Sequence, residues 1–98
     1  MTHARFVTLH SPPDKVEEVI TIFHDSILPT TQVQPGFQGA RLLTDRTSGK
    51  TVLVTLWKTE AEMIATEENG FLRQQLAKFN HLLAAPLLRE TYELVISI

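Results

Sequence analysis

Four histidines, one tryptophan and scattered arginines hold most of the chemistry available to this chain, which has no cysteine. The arrangement of the histidines already excludes much. His3, His24 and His81 fall in a terminus, a helix and a helix end, with no i, i+4 pair and no carboxylate at ligand spacing, so no metal site is expected. His10 differs because it shares a strand face with Phe6 and Thr8, where an imidazole titrating near neutrality is a candidate base for a phenolic proton. The competing reading is a half-exposed strand-end histidine. Trp57 is a candidate platform for a flat aromatic substrate, and equally a candidate for plain packing in a core or a dimer interface. Arg41 alternates with Phe37, Gly39 and Leu43 and is suited to hold a carboxylate or phenolate, or else an ion pair at a dimer rim. The serines and threonines have no His/Asp constellation to activate them, and Pro35-Gly-Phe-Gln-Gly39 lacks the spacing of a phosphate cradle. Hydrolase and nucleotide-binding readings drop out.

These residues must be positioned by a small set of elements. Ala4 to His10 reads as a first strand, with Val7 and Leu9 opposite Phe6, Thr8 and His10. Ser11-Pro-Pro-Asp14 reads as a helix start with serine as N-cap, and Val16, Val19, Ile20, Phe23 and Ile27 form one apolar stripe that Pro29 ends near Leu28. Phe37 to Thr44 and Lys50 to Trp57 are two strands joined by Asp45-Arg-Thr-Ser-Gly49. Thr59 with Glu62 forms a capping box for a second helical region, interrupted at Asn69-Gly70 and resumed through Phe71, Leu72, Leu76, Phe79, Leu82 and Leu83 until Pro86. The last strand is expected over Arg89 to Ile98. The order βαββαβ is an α+β, ferredoxin-like arrangement, with two helices on one face of a four-stranded antiparallel sheet.

Both faces of the third strand are apolar, with Val52, Val54 and Leu56 on one side and Leu53, Thr55 and Trp57 on the other. The helices cover only one of them. If the valine side meets the helices, Leu53 and Trp57 are left for a partner, and each large side chain buried there contributes roughly 1.5–3 kcal/mol. A symmetric homodimer with sheets face to face is therefore expected, with a cavity lined by Phe6, Thr8, His10, Phe37, Arg41, Leu53, Thr55 and Trp57.

Bulk properties narrow the field further. The 98 residues are enough for one domain with its own core, and 43% hydrophobic with 20% charged residues suits an ordinary soluble protein. The net charge of −2, with basic residues dispersed singly, disfavours nucleic acid. No run approaches the roughly 18 apolar residues of a membrane span, and Met1 to Leu9 lacks a signal-peptide apolar region, so a cytoplasmic location is the default expectation.

Pro35-Gly36-Phe37-x-Gly39, the strand Val52 to Trp57 followed by Lys58-Thr59-Glu60, and Pro86 with Arg89-Glu-Thr-Tyr-Glu93 resemble the antibiotic biosynthesis monooxygenase (ABM) domain across nearly the whole chain. The resemblance implies a dimeric α+β barrel and a cofactor-free oxygenase of quinols or polycyclic aromatics, or a relative that degrades haem. Trp57 matches the cavity tryptophan of both kinds of member. Where haem degraders carry a first-strand asparagine and a later histidine, this chain has Ala4, Phe6 and Thr8, and approximately Gln75. Where aromatic oxidisers carry an asparagine, a tyrosine and an arginine, the places fall near Leu53, Met63 and Ala77. The catalytic polar set of either branch is thus not reproduced.

Three functions remain in play. One is a cofactor-free monooxygenase on a small aromatic or quinol-type substrate, with His10 and Trp57 as candidate catalytic residues; another is a dimeric small-molecule-binding module without chemistry. The third is a cofactor-independent isomerase or decarboxylase of the same barrel type.

Overall fold

Strand alternation decides what each side of the sheet meets. The computed structural model describes residues 1–98. Strands β1 (His3–His10), β2 (Phe37–Asp45), β3 (Lys50–Trp57) and β4 (Leu88–Glu93) form one antiparallel sheet in the order β2-β3-β1-β4. Helices α1 (Val16–Ile22), α2 (Leu28–Gln32), α3 (Glu60–Glu68) and α4 (Phe71–Leu76) carry the other layer, giving the ferredoxin-like architecture. The core lies between them, where Val7, Leu9 and Leu53 of the sheet meet Val19, Phe23, Ile27, Phe79 and Leu82. Phe79 and Leu9 are completely buried. No helix is long and apolar enough to cross a membrane.

The face assignment on β3 is the reverse of the one that leaves Trp57 for a partner chain. Val7 pairs with Leu53, Arg5 with Thr55 and His3 with Trp57, so Thr51, Leu53, Thr55 and Trp57 belong to the helix-covered side. Val52, Val54 and Leu56 join Ala4, Phe6 and Thr8 on the side without helices. Period-two alternation separates two apolar sets without saying which one the helices cover. Strand β2 adds a second correction. A bulge between Phe37 and Gly39 shifts the register, so Phe37 opposes Trp57 while Arg41 opposes Val54 on the open side. Phe37 and Arg41 therefore do not share a face.

The helices also depart from the simple reading. Ser11 is not an N-cap: its N–H donates to the Gly49 carbonyl at 3.0 Å, and the helical path opens with a 3₁₀ turn over Pro13–Lys15. Pro29 does not end the first helical region. A wide π turn over Phe23–Ile27 precedes it, which places the proline in the first turn of α2, where a missing N–H is tolerated. The Thr30 and Thr31 hydroxyls donate to the Ile27 carbonyl at 2.9 and 2.7 Å, satisfying it locally. The Thr59 cap is present as read, with the Glu62 N–H donating to its hydroxyl at 3.1 Å. Strand β4 stops at Glu93 because Glu93 already pairs with His3, the first residue of β1; Val95, Ile96 and Ile98 beyond it are exposed.

Gly49 closes the β2–β3 hairpin at φ +81°, and a Cβ there would lie 1.9 Å from the Ser11 carbonyl oxygen. Gly70, at φ +85°, has open space around it. Gly70→Ala is expected to cost only the left-handed backbone penalty of about 1–2 kcal/mol. Gly49→Ala should cost clearly more in denaturant unfolding, because backbone must also move; equal losses for the two would contradict this packing.

Candidate functional site

The chemistry-bearing residues divide between the two sides of the sheet. Phe6, Thr8, His10 and Arg41 lie on the open side, whereas Leu53, Thr55, Trp57 and Phe37 lie under the helices. The eight residues expected to line one cavity therefore do not meet in one place within the chain. His10 pairs with Lys50 at the end of β1, and its backbone carbonyl accepts the Ala84 N–H at 2.7 Å. Its imidazole is on the opposite face from Trp57.

On the helix side, a small, partly open cavity of about 30 Å³ sits between β1, β3 and the helices. Its walls are mostly apolar: Val7, Leu53, Phe23, Ile27, Phe71, Leu72 and Leu76. Its polar lining is Arg5, Thr31, Thr55 and Gln75. Trp57 stands one layer behind, fully buried, rather than in the wall itself. The Trp57 indole N–H donates to the Thr55 hydroxyl at 2.9 Å, the Arg5 guanidinium carbon lies 5.3 Å from the ring centroid, and Phe37 meets the ring edge-to-face with centroids 5.9 Å apart.

Arg5 is the residue that reading the sequence missed. It is 2% exposed, and its Nη1 donates to the Met63 carbonyl at 3.2 Å, the Thr66 hydroxyl at 2.9 Å and Glu67 Oε2 at 3.2 Å. Burial pulls the guanidinium pKa below its ordinary value, opposed by the hydrogen bond to Glu67. Glu67 also accepts from Arg89 at 2.6 Å, so one carboxylate is shared between two guanidiniums. The available signal was charge placement: Arg5 falls in step with Val7 and Leu9, inside an otherwise apolar stripe, where a charge demands a partner. Gln75 is buried too, and its side-chain oxygen accepts from Thr30 at 3.1 Å and from Lys78 at 2.8 Å.

A second, open groove of about 310 Å³ lies outside α4, lined by Leu72, Leu76, Arg73, Asn80 and Leu87 along with Glu67 and Arg89. Leu72 and Leu76 border both spaces. They form the partition between the groove and the buried cavity.

Residues 3–70 match the family described as antibiotic biosynthesis monooxygenase. The chain belongs to that family. Among curated proteins it is similar to uncharacterized protein Rv2558 of Mycobacterium tuberculosis, 32% identical over 68 residues, which make up 69% of this chain and 29% of the relative. The chain thus spans less than a third of the length of the curated relatives it matches. The solved structure of NE2512, a protein of unknown function from Nitrosomonas europaea, superposes with TM-score 0.78 at 22% identity over 99% of this chain and 92% of that one. The monooxygenase from the gene ActVA-Orf6 of Streptomyces coelicolor, solved with Nanaomycin D, gives TM-score 0.74 at 17% identity over 98% of this chain and 89% of that one. At these identities the two structures establish a shared fold.

Proposed function

We propose that this chain is a homodimeric, cofactor-independent monooxygenase that takes a small aromatic or quinol-type substrate into the cavity between sheet and helices of each subunit. The observation that carries the reading is the cavity: apolar walls, few polar groups, and a buried Trp57–Phe37 pair behind Arg5 and Thr55. Membership of the family, and the ligand complex of the Streptomyces coelicolor relative, support it. About 30 Å³ holds roughly one water, so a substrate enters by displacing Leu72 and Leu76 toward the outer groove.

The chemistry asked of the protein is modest. An electron-rich substrate carbanion gives two electrons to dioxygen and, with one proton, becomes a hydroperoxide. The O–O bond then breaks as the same carbon loses its remaining proton, so that one oxygen leaves as water and the other stays as a carbonyl, the substrate supplying all the electrons. A dry, shaped pocket favours this by excluding competing protons. No residue lining the cavity is a histidine or a carboxylate. This absence favours the second reading, a binding module without turnover, which rests on the same cavity.

The open face supports the dimer. Leu43, Leu88 and Tyr92 remain 55%, 55% and 51% exposed, and Val95, Ile96 and Ile98 beyond β4 are exposed as well. The Tyr92 ring packs edge-to-face on Phe6 with centroids 5.5 Å apart, while its hydroxyl donates to Glu90 at 2.6 Å, which raises its pKa above the usual phenol value. Covering each large side chain contributes roughly 1.5–3 kcal/mol, and a second copy presents the same surface in return.

Light scattering should give about twice 11.1 kDa for the native chain and a monomer for Val52→Asp; a native monomer at micromolar concentration would remove the dimer. An oxygen electrode with a panel of quinols and anthrones should record uptake that falls at least about tenfold in Trp57→Phe and is unchanged in His10→Ala. Absence of uptake with every substrate, alongside ligand binding, selects the binding module instead.

A further inference from the structure

We infer that Arg5 makes this cavity an anion receptor, so that its ligand is an apolar, ring-containing molecule bearing one anionic oxygen, a carboxylate or a phenolate. The inference rests on the buried cavity being the ligand site, as proposed above, and is independent of any reaction with oxygen. Its first support is an unequal use of the guanidinium. All three hydrogen bonds of Arg5 leave from Nη1, toward α3, and none engages Nε or Nη2. A side chain 2% exposed, lining an apolar cavity, therefore keeps one edge of its donor fork unpartnered.

The second support is charge. Arg5 is the only charged residue in the cavity wall, and its carboxylate partner Glu67 is shared with Arg89. Two cations against one anion leave a net positive site, in surroundings where a lone charge is costly and an opposite one is strongly favoured. The third is the set of neighbouring donors. Gln75 engages its side-chain oxygen with Thr30 and Lys78, and its amide nitrogen has no partner. The Thr55 hydroxyl accepts from Trp57 and has its own proton to give. Arg5, Gln75 and Thr55 thus all border one cavity, and no carboxylate borders it with them. A fork of N–H donors with a ring nearby suits a carboxylate or phenolate attached to an aromatic frame.

Calorimetric titration of the 98-residue chain with 2-naphthoate and with 2-naphthamide separates charge from shape, since the two probes share a ring system. The native chain should bind naphthoate at least about tenfold more tightly, the factor that a charge-assisted hydrogen bond supplies. Arg5→Lys should keep part of the preference, because a point charge remains without the fork, and Arg5→Met should abolish it with naphthamide binding retained. Gln75→Glu, which preserves the acceptor for Thr30 and Lys78 while adding a negative charge, should also abolish it; this variant decides the matter if Arg5→Met does not fold. Equal affinities for the two probes, no naphthoate binding to the native chain, or a preference that survives in Gln75→Glu would overturn the inference. An anion preference without oxygen uptake by any quinol would sink the oxygenase and leave the receptor standing; uptake without the preference would do the reverse.

Discussion

The arrangement of this protein turns on one buried charge. Arg5 points from the central strand β1 into the layer between sheet and helices, where an unpaired guanidinium would be strongly unfavourable. Its compensation comes from α3, through Met63, Thr66 and Glu67, and from the face of Trp57. These contacts tie α3 to β1 across 58 to 62 residues of sequence. They also constrain the remaining space. With Nη1 committed to α3, Arg5 also borders the cavity lined by Phe71, Leu72 and Leu76.

The two faces of the sheet then have separate roles. The helix-covered side holds the packed core, the Trp57–Phe37 pair and the small cavity. The open side holds an apolar surface of Phe6, Val52, Leu56, Leu43 and Tyr92 suited to a second copy. In the proposed function, assembly and ligand binding use opposite faces of the same strands. Only the bulge after Phe37 departs from simple alternation, and it brings an aromatic to the edge of Trp57 that strict period-two order would have turned away.

Much of the fold was legible because it depends on local patterns. The βαββαβ order follows from alternation in β1 and β3, the stripe from Val16 to Ile27, and the Thr59–Glu62 cap. The errors had specific physical causes. Both faces of β3 are apolar, so alternation does not say which one the helices take, and it is the Trp57 face that they cover. Pro29 looked like a helix end because the π turn that accommodates it leaves no mark in the apolar spacing. The site was harder to read than the fold. Leu53 and Thr55 border the small cavity beneath the helices rather than one between two chains, His10 and Arg41 are across the sheet, and the partners that mark Arg5 lie on α3, distant in sequence. Gln75 stands near the place of a histidine in haem degraders, and as a residue it is buried and borders the cavity.

Trp57 lies beneath the helices against Arg5, independent of any partner chain, and its fluorescence tests this placement directly because it is the only tryptophan. The account predicts a blue-shifted emission that resists iodide quenching and stays the same when the protein is diluted or made monomeric by an open-face substitution. Emission that shifts red and becomes readily quenched as the chains separate would place Trp57 at the interface and contradict it.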